Sequence, residues 1–189
     1  AMIKLIASDL DDTLLNNNSQ LSEENKQAVK KAMEQGLIFT LATGRMFQSA
    51  APFARELGLP ADQPLICYNG ALIKRLSGET LYEKPLGTEL AATIADYCQR
   101  NGWTVNAYFE DELYVSVMNK FVEEYNAIAQ VEVRVVDDLV SFIKDGDKTL
   151  SKMLVVSPPA ETPRRIEELR SVVGPQVQLV SSRDKYIEI

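Results

Sequence analysis

The sequence contains no histidine among its 189 residues. This absence excludes Ser–His–Asp and Cys–His catalysis within the chain, because both mechanisms use an imidazole as the base. It also argues against zinc sites of the usual kind, in which histidine is a common ligand. Any acid–base chemistry in this chain therefore falls to carboxylates.

Cysteine is scarce, since the chain has only Cys67 and Cys98, and the two show no motif spacing. Cys67 ends a predicted apolar strand and Cys98 lies on the apolar face of a predicted helix, so we expect both to be reduced core residues. The sequence shows no signal-peptide pattern and no apolar run as long as a membrane span. We therefore expect a cytoplasmic protein with no membrane partner.

Basic residues are in the minority, with 20 Lys and Arg against 27 Asp and Glu and a net charge of −7. This balance argues against nucleic acid or an anionic membrane as a partner. It does not exclude an anionic metabolite, because a bound divalent cation can reverse the local field. Hydrophobic residues make up 46% of the chain, which is typical of a globular protein with one sizeable domain or two small ones.

The most informative stretch is the apolar run from Lys4 that ends in three acids, Asp9, Asp11 and Asp12. Ligands bind at the carboxyl ends of strands in open α/β sheets. In an extended segment Asp9 and Asp11 would leave the backbone on the same face, where a hard cation could bind between them. An acidic turn that caps the following helix is the simpler alternative.

A second apolar strand, 37–42, ends in Thr43, Gly44 and Arg45. Two neighbouring parallel strands would place a carboxylate pair and a hydroxyl at one edge of the sheet, which is typical of a phosphate site. Thr43 could instead be a helix N-cap, and Asn69 with Gly70 could simply form a turn.

The order of predicted elements changes at Pro85. Before it, the pattern is β-α-β-α-β followed by a hairpin, which predicts a parallel sheet with right-handed crossovers. After it, the pattern is αββ, αβαβ, αββ. We therefore expect an α/β protein with one domain at 1–84, a second at 85–185, and a return strand or linker at 186–189.

Three motifs carry a family resemblance: Asp-Leu-Asp-x-Thr-Leu-Leu at 9–15, Ala-Thr-Gly-Arg at 42–45 and Tyr-Asn-Gly-Ala at 68–71. Together they resemble the haloacid dehalogenase-like hydrolases, and within them the Cof-type phosphatases. The resemblance implies a Rossmann-like core into which a large α/β cap of the C2B type is inserted. In the family a second core half follows, with a lysine and further metal carboxylates. We therefore expect residues 1–189 to be an N-terminal fragment, and to be inactive alone.

The resemblance also implies residue roles. Asp9 would be the nucleophile that forms an aspartyl-phosphate, and Asp11 the general acid and base. Asp9 and Asp11 would hold Mg²⁺, the latter through its backbone carbonyl. The phosphate- or substrate-binding positions would be Leu10, Asp12, Thr43, Gly44, Arg45 and Asn69. Asp12 stands where the family most often has glycine.

These roles indicate a Mg²⁺-dependent phosphatase of small phosphorylated metabolites such as sugar phosphates. A sugar phosphomutase on the same core and cap is one alternative. A non-catalytic receiver-like domain that accepts a phosphoryl group is another, although its acids would follow a later strand. The sequence leaves the oligomeric state open.

Overall fold

The computed structural model describes residues 2–189, and this part of the chain divides into two units at the Lys84–Pro85 peptide bond. The first unit ends at Lys84 and the second is Pro85–Ile189. The two units are described separately below.

The first unit has seven regular elements. They are β1 (Leu5–Ser8), α1 (Glu23–Glu34), β2 (Ile38–Leu41), α2 (Phe47–Glu56), β3 (Pro64–Cys67), β4 (Leu72–Arg75) and β5 (Thr80–Glu83). Strands β1 and β2 are parallel, with Ala7 opposite Thr40. Ser22 precedes two acids in the sequence, a pattern that predicts a helix start, and it is the N-cap of α1. Its hydroxyl accepts a hydrogen bond from the Asn25 N–H at 3.1 Å.

The third strand departs from the expected parallel sheet. β3 lies in an antiparallel sheet of order β3-β4-β5, and a single parallel bridge between Ala42 and Ile66 joins it to the end of β2. The hairpin that follows β3 supplies its hydrogen-bonding partner, so the parallel pairing is confined to the end of β2.

The first strand is more exposed than its composition predicts. An apolar run of this kind is typical of a strand in a sheet interior, but Leu5 and, beside it on β2, Ile38 are each 54% exposed. Among the described strands β1 pairs only with β2. Burial within the first unit therefore explains only some of the apolar residues of β1 and β2.

The second unit has ten regular elements. They are α3 (Thr88–Arg100), β6 (Thr104–Phe109), β7 (Glu112–Val115), α4 (Lys120–Ala129), β8 (Val133–Val135), α5 (Leu139–Asp145), β9 (Leu150–Val156), α6 (Thr162–Val173), β10 (Val180–Ser182) and β11 (Tyr186–Glu188). Their order is the predicted αββ, αβαβ, αββ. The strands form one six-stranded sheet of order β10-β11-β9-β6-β7-β8.

One face of this sheet builds the hydrophobic core. Side chains alternate between the two faces of a strand. Alternate positions of β6, β9 and β11 therefore pack with helices α3, α5 and α6; they include Val105, Ala107, Phe109, Met153, Val155 and Ile187. Every residue of β9 is buried, which marks it as the central strand of the unit.

Of the two alternatives for 186–189, strand and linker, the structure shows a strand: Tyr186–Glu188 pairs antiparallel with both β9 and β10. Two local details differ from what the sequence suggests. Thr88 is a candidate helix cap in the sequence, but Gly87 is the N-cap of α3 and Thr88 is its first residue. The sequence favours a strand at 176–180, but the strand begins only at Val180, because Gly174–Gln176 forms a tight turn that includes Pro175.

Both cysteines are buried and neither forms a disulfide within residues 2–189, as expected of reduced core residues. Burial raises the pKa of the Cys98 thiol to about 12. Within residues 2–189, no helix combines the length and the apolar composition that crossing a bilayer requires.

Candidate active site at the ends of β1 and β2

Asp9 directly follows β1 and has extended backbone angles, φ −73° and ψ 165°. Its exposed carboxylate accepts a hydrogen bond from the Leu10 N–H at 2.7 Å, and the Ser8 hydroxyl donates to its backbone carbonyl at 3.0 Å. The Leu10 side chain is fully buried. Burial of the Leu10 side chain holds the backbone at this position and thereby fixes the direction of the Asp9 side chain.

The turn after Asp9 carries the other two acids. Asp11 is extended and half-buried, whereas Asp12 has φ 57° and ψ 14° in the left-handed region. Glycine adopts this conformation most easily and Asp tolerates it, which explains how Asp12 replaces the glycine that the family motif favours. A hydrogen bond of 2.9 Å from the Leu15 N–H to the Leu10 carbonyl closes the turn.

Thr43 lies at the end of β2 and is buried. Its N–H donates to the Ile66 carbonyl at 2.9 Å, and its own carbonyl accepts from the Asn69 N–H at 3.1 Å. The Thr43 hydroxyl accepts from the Arg45 N–H at 3.1 Å. Thr43 is nevertheless not the helix N-cap considered from the sequence, because α2 begins at Phe47 and its N-cap is Met46. A hydroxyl that accepts one bond still has its own hydrogen to donate.

Arg45 connects the two strand ends through its side chain. Its Nε and Nη2 donate to the two carboxylate oxygens of Asp11 at 2.7 and 2.8 Å, and its Nη1 donates to the Ser49 hydroxyl at 3.0 Å. The guanidinium also lies 5.2 Å from the ring centroid of Phe53. The Arg45 side chain is only 10% exposed. Contacts with Asp11, Ser49 and Phe53 therefore hold the Arg45 side chain, and its positive charge pairs with the Asp11 carboxylate.

This ion pair was not predicted. The family resemblance implies that Arg45 binds phosphate or substrate, whereas in the structure its guanidinium pairs with the Asp11 carboxylate. The sequence offers only a weak signal for the arrangement: Arg45, Ser49 and Phe53 follow one another at intervals of four residues, which places them along one side of a helix.

The third motif follows β3 as a tight turn. Tyr68 and Asn69 both have positive φ, 50° and 54°. The Tyr68 N–H donates to the Arg45 carbonyl at 3.0 Å. Backbone hydrogen bonds therefore place the turn that contains exposed Asn69 beside Thr43, Gly44 and Arg45.

Asp9 differs from the other acid at the site, Asp11, in its hydrogen bonding. Within residues 2–189 the Asp9 carboxylate accepts a hydrogen bond only from the Leu10 N–H.

The site offers oxygen ligands for a cation but no complete cage. In the part of the chain that the structure describes, no group of three or more His, Cys, Asp or Glu side chains is placed to hold a metal ion. Mg²⁺ is commonly bound through one or two carboxylates together with substrate phosphate and water. The exposed Asp9 carboxylate and the Asp11 backbone carbonyl fit part of such a site, whereas the Asp11 carboxylate is engaged by Arg45.

Comparison with known proteins identifies the family. Residues 6–189 match the haloacid dehalogenase-like hydrolases. The chain belongs to this family. A crystal structure of a haloacid dehalogenase-like hydrolase from Bacteroides thetaiotaomicron superimposes with a TM-score of 0.87 at 25% sequence identity, covering 99% of this chain and 70% of that one. This agreement confirms the predicted α/β fold class.

Two relatives with curated names are phosphatases of Bacillus subtilis (strain 168). The 5-amino-6-(5-phospho-D-ribitylamino)uracil phosphatase YwtE is 33% identical over 111 residues, which is 59% of this chain and 37% of that protein. The putative phosphatase YxeH is 26% identical and is matched over 100% of this chain and 70% of its own length. The matched parts of the chain thus span between 37% and 70% of the length of these two relatives.

Proposed function

We propose that this chain carries the phosphoryl-accepting site of a phosphatase that hydrolyses phosphomonoesters of small metabolites. The observation that carries the proposal is the exposed Asp9 carboxylate at the end of β1, oriented by the 2.7 Å hydrogen bond from Leu10. Relatives named as phosphatases across the family support the reaction class.

In the proposed first step, the Asp9 oxygen attacks phosphorus in line with the ester bond. The new O–P bond forms as the bond from phosphorus to the leaving alkoxide breaks, and Asp11 gives that oxygen a proton. In the second step the water oxygen bonds to phosphorus as the bond from Asp9 to phosphorus breaks, and Asp11 takes the proton that the water loses. The products are inorganic phosphate and the original Asp9 carboxylate, and Asp11 is again protonated.

Arg45 acts in this proposal as a positioning residue. Its bidentate contact fixes the orientation of the Asp11 carboxylate and favours its ionised form. The ionised form is the base that activates water in the second step. The first step requires protonated Asp11, so the Arg45 contact has to loosen when substrate binds.

Phosphate recognition falls to the turn after β2. The Thr43 hydroxyl hydrogen and the exposed Asn69 side chain are the proposed contacts, with the backbone of Asp12 and Gly44 beside them. Leu10 contributes by orienting Asp9, because the Leu10 N–H donates a hydrogen bond to the Asp9 carboxylate. Asp9 and the Asp11 carbonyl would hold Mg²⁺, which when bound neutralises negative charge on the phosphoryl group.

The direct test is Asp9→Asn in the protein that carries this chain, assayed on an aryl phosphate with Mg²⁺. An amide cannot form the aspartyl-phosphate, so we expect turnover to fall by roughly a thousandfold or more with an unchanged circular dichroism spectrum. Appreciable turnover, with deamidation excluded by mass spectrometry, would sink the nucleophile assignment. A requirement for a sugar bisphosphate in the wild-type assay would indicate the phosphomutase alternative.

The role of Asp11 has its own test. Asp11→Asn removes the proton donor, so hydrolysis of an alkyl phosphate should slow more than hydrolysis of an aryl phosphate, whose leaving group needs less protonation. We expect the two losses to differ by about tenfold or more. Equal losses on the two substrates would count against the acid role.

A further inference from the structure

The turn between β3 and β4 has one more left-handed residue than its hairpin requires. Asn69 and Gly70 have φ angles of 54° and 95°, which fit the type I′ turn that commonly joins two antiparallel strands. Such a turn needs positive φ only at its two central residues. Tyr68 precedes them and nevertheless has a φ of 50°. We call Tyr68–Gly70 the left-handed turn.

Tyrosine is an unfavourable residue for this conformation. Left-handed backbone brings Cβ close to the following carbonyl oxygen, so it is uncommon for residues other than Gly, Asn and Asp. The Tyr68 side chain is only 3% exposed, and burial of the ring holds the residue in place. Backbone strain of this kind persists only where the surrounding structure imposes it, and it is concentrated at functional sites.

The strained residue redirects one backbone hydrogen bond. In a two-residue hairpin the residues before and after the turn exchange two such bonds. Here the Tyr68 carbonyl accepts from the Ala71 N–H at 3.1 Å, but the Tyr68 N–H donates to the Arg45 carbonyl at 3.0 Å. The Ala71 carbonyl accepts instead from the Lys84 N–H at 2.8 Å. The left-handed backbone at Tyr68 thus directs its N–H to the 43–45 segment.

A second hydrogen bond attaches the left-handed turn to the same segment. The Asn69 N–H donates to the Thr43 carbonyl at 3.1 Å. The turn therefore holds the carbonyls of the two residues that flank Gly44. Glycine changes its backbone angles more easily than any other residue, so these two bonds restrict the most flexible position of the segment.

We propose that Tyr68 is a positioning residue for the candidate active site, and that its strained backbone holds the 43–45 segment in the conformation that phosphate binding requires. This inference rests on the proposed function. On one side of Gly44 the Thr43 hydroxyl is the proposed phosphate contact, and on the other side Arg45 orients Asp11. A displacement of about 1 Å in such groups can lower the rate a hundredfold. One strained residue therefore supports both phosphate recognition and proton transfer.

Two substitutions at Tyr68 separate backbone conformation from packing. Tyr68→Asn and Tyr68→Val both remove the buried ring. Asparagine tolerates positive φ, whereas a β-branched valine strongly resists it. Valine is apolar and is buried far more often than asparagine, so a role in packing alone predicts that Tyr68→Val is the more stable and the more active variant.

The kinetic constants are measured on an aryl phosphate with Mg²⁺, in the protein that carries this chain and at a temperature where circular dichroism shows each variant to be folded. We expect kcat/KM of Tyr68→Asn to exceed that of Tyr68→Val by about tenfold or more, whichever variant melts at the higher temperature. Competitive inhibition by inorganic phosphate should weaken more in Tyr68→Val. Equal kinetic constants, or the higher kcat/KM in Tyr68→Val, would overturn the inference.

A glycine pair tests the same point with the packing unchanged, and it applies even if the Tyr68 variants do not fold. Within residues 2–189, a Cβ added at Gly70 meets no atom within 4 Å, so Gly70→Ala acts only through its φ of 95°. Gly78→Ala is the matched control, because Gly78 has a φ of 107°, is equally open in that range and lies beyond the other end of β4. Both variants should lose similar stability. Only Gly70→Ala should lower kcat/KM and weaken phosphate inhibition, by about tenfold.

These measurements distinguish failure of the inference from failure of the proposed function. If the wild-type protein does not hydrolyse the aryl phosphate, the proposed function fails and the inference fails with it. If the wild type is active and Gly70→Ala has the same kinetic constants as Gly78→Ala, the inference alone is wrong and the left-handed turn serves only the fold.

Discussion

The two units place their polar groups differently with respect to their strands. In the first unit Asp9 and Thr43 follow the strands, at the edge where β1 and β2 end. In the second unit Asn106, Lys152 and Glu188 lie within strands, on the face of the sheet. A polar residue that ends an apolar run is visible in a sequence, whereas one within an alternating strand resembles an ordinary solvent-facing position.

The units also differ in how far their strands are buried. Every residue of β9 is buried, whereas β1 exposes Leu5 to 54%. Apolar burial is the dominant favourable term in folding. We therefore expect the buried strands of the second unit to contribute more to the free energy of unfolding than the exposed strands of the first unit do. The first unit instead combines exposed strands with a site held by hydrogen bonds and one ion pair.

The largest expected effect tests this difference in burial. Met153→Ala in β9 removes a fully buried side chain, so we expect the free energy of unfolding to fall by about 2–5 kcal/mol. Urea unfolding followed by fluorescence of Trp103, the single tryptophan, reports this unit. Leu5→Ala is the paired control, measured by circular dichroism, and should lose less than about 1.5 kcal/mol because the side chain is half exposed. Equal losses would remove the distinction between the units.

A smaller effect should come from the ion pair of the first unit. Arg45→Gln leaves Asp11 without its guanidinium, and we expect a loss of about 1–3 kcal/mol in stability. Arg45→Lys should restore little, because lysine cannot make the bidentate contact or stack on Phe53 in the same way. The exposed Arg55→Gln on α2 is the control.

Activity measurements on the Arg45 variants distinguish a role in positioning Asp11 from a role in stabilising the fold. If Arg45 orients Asp11, Arg45→Gln should lower kcat and change its pH dependence, and addition of guanidinium should partly restore kcat. Arg45→Gln with a wild-type pH profile and lowered stability alone would show that the residue only supports the fold.

The smallest effect concerns Glu112 of β7, the strand next to the edge strand β8 in the six-stranded sheet. Glu112 accepts a hydrogen bond from the Tyr114 hydroxyl at 2.6 Å and lies near Lys148 and Arg134, and these contacts lower its pKa. Its contribution to stability is therefore present above the unfolded-state pKa and is lost as pH falls through the folded-state value. Solvent screening limits it to under about 1 kcal/mol.

This contribution is measured by urea unfolding at several pH values from neutral to acidic. Wild type should lose more stability on acidification than Glu112→Gln, whereas Glu110→Gln, an exposed acid in the same hairpin, should follow wild type. Parallel acid limbs for wild type and Glu112→Gln would contradict the assignment.

Much of the fold could be predicted because local signals agreed with one another. The element order of the second unit followed from helical and alternating periodicity between Gly-containing turns, and the Ser22 cap from its position before an acidic first helical turn. The positions of Asp9 and Thr43 at strand ends followed from apolar runs that stop at polar residues.

The remainder depended on contacts that sequence spacing does not encode. The Asp11–Arg45 pair joins residues 34 positions apart. The burial of Asn106 depends on what covers one face of β6, and alternation shows only that two faces differ. The placement of Tyr186–Glu188 inside the sheet depends on pairing with β9, 30 or more positions away in sequence.

The account depends most on Asp9 as the phosphoryl acceptor, and chemical trapping tests that role directly. The protein is mixed with an aryl phosphate and Mg²⁺, quenched within one turnover and treated with borohydride, which reduces an aspartyl-phosphate to homoserine. Peptide mass spectrometry should then find homoserine in place of Asp9 and in no other acid of the 9–12 turn. Homoserine at Asp11 or Asp12, or none at any position in an active sample, would contradict the account.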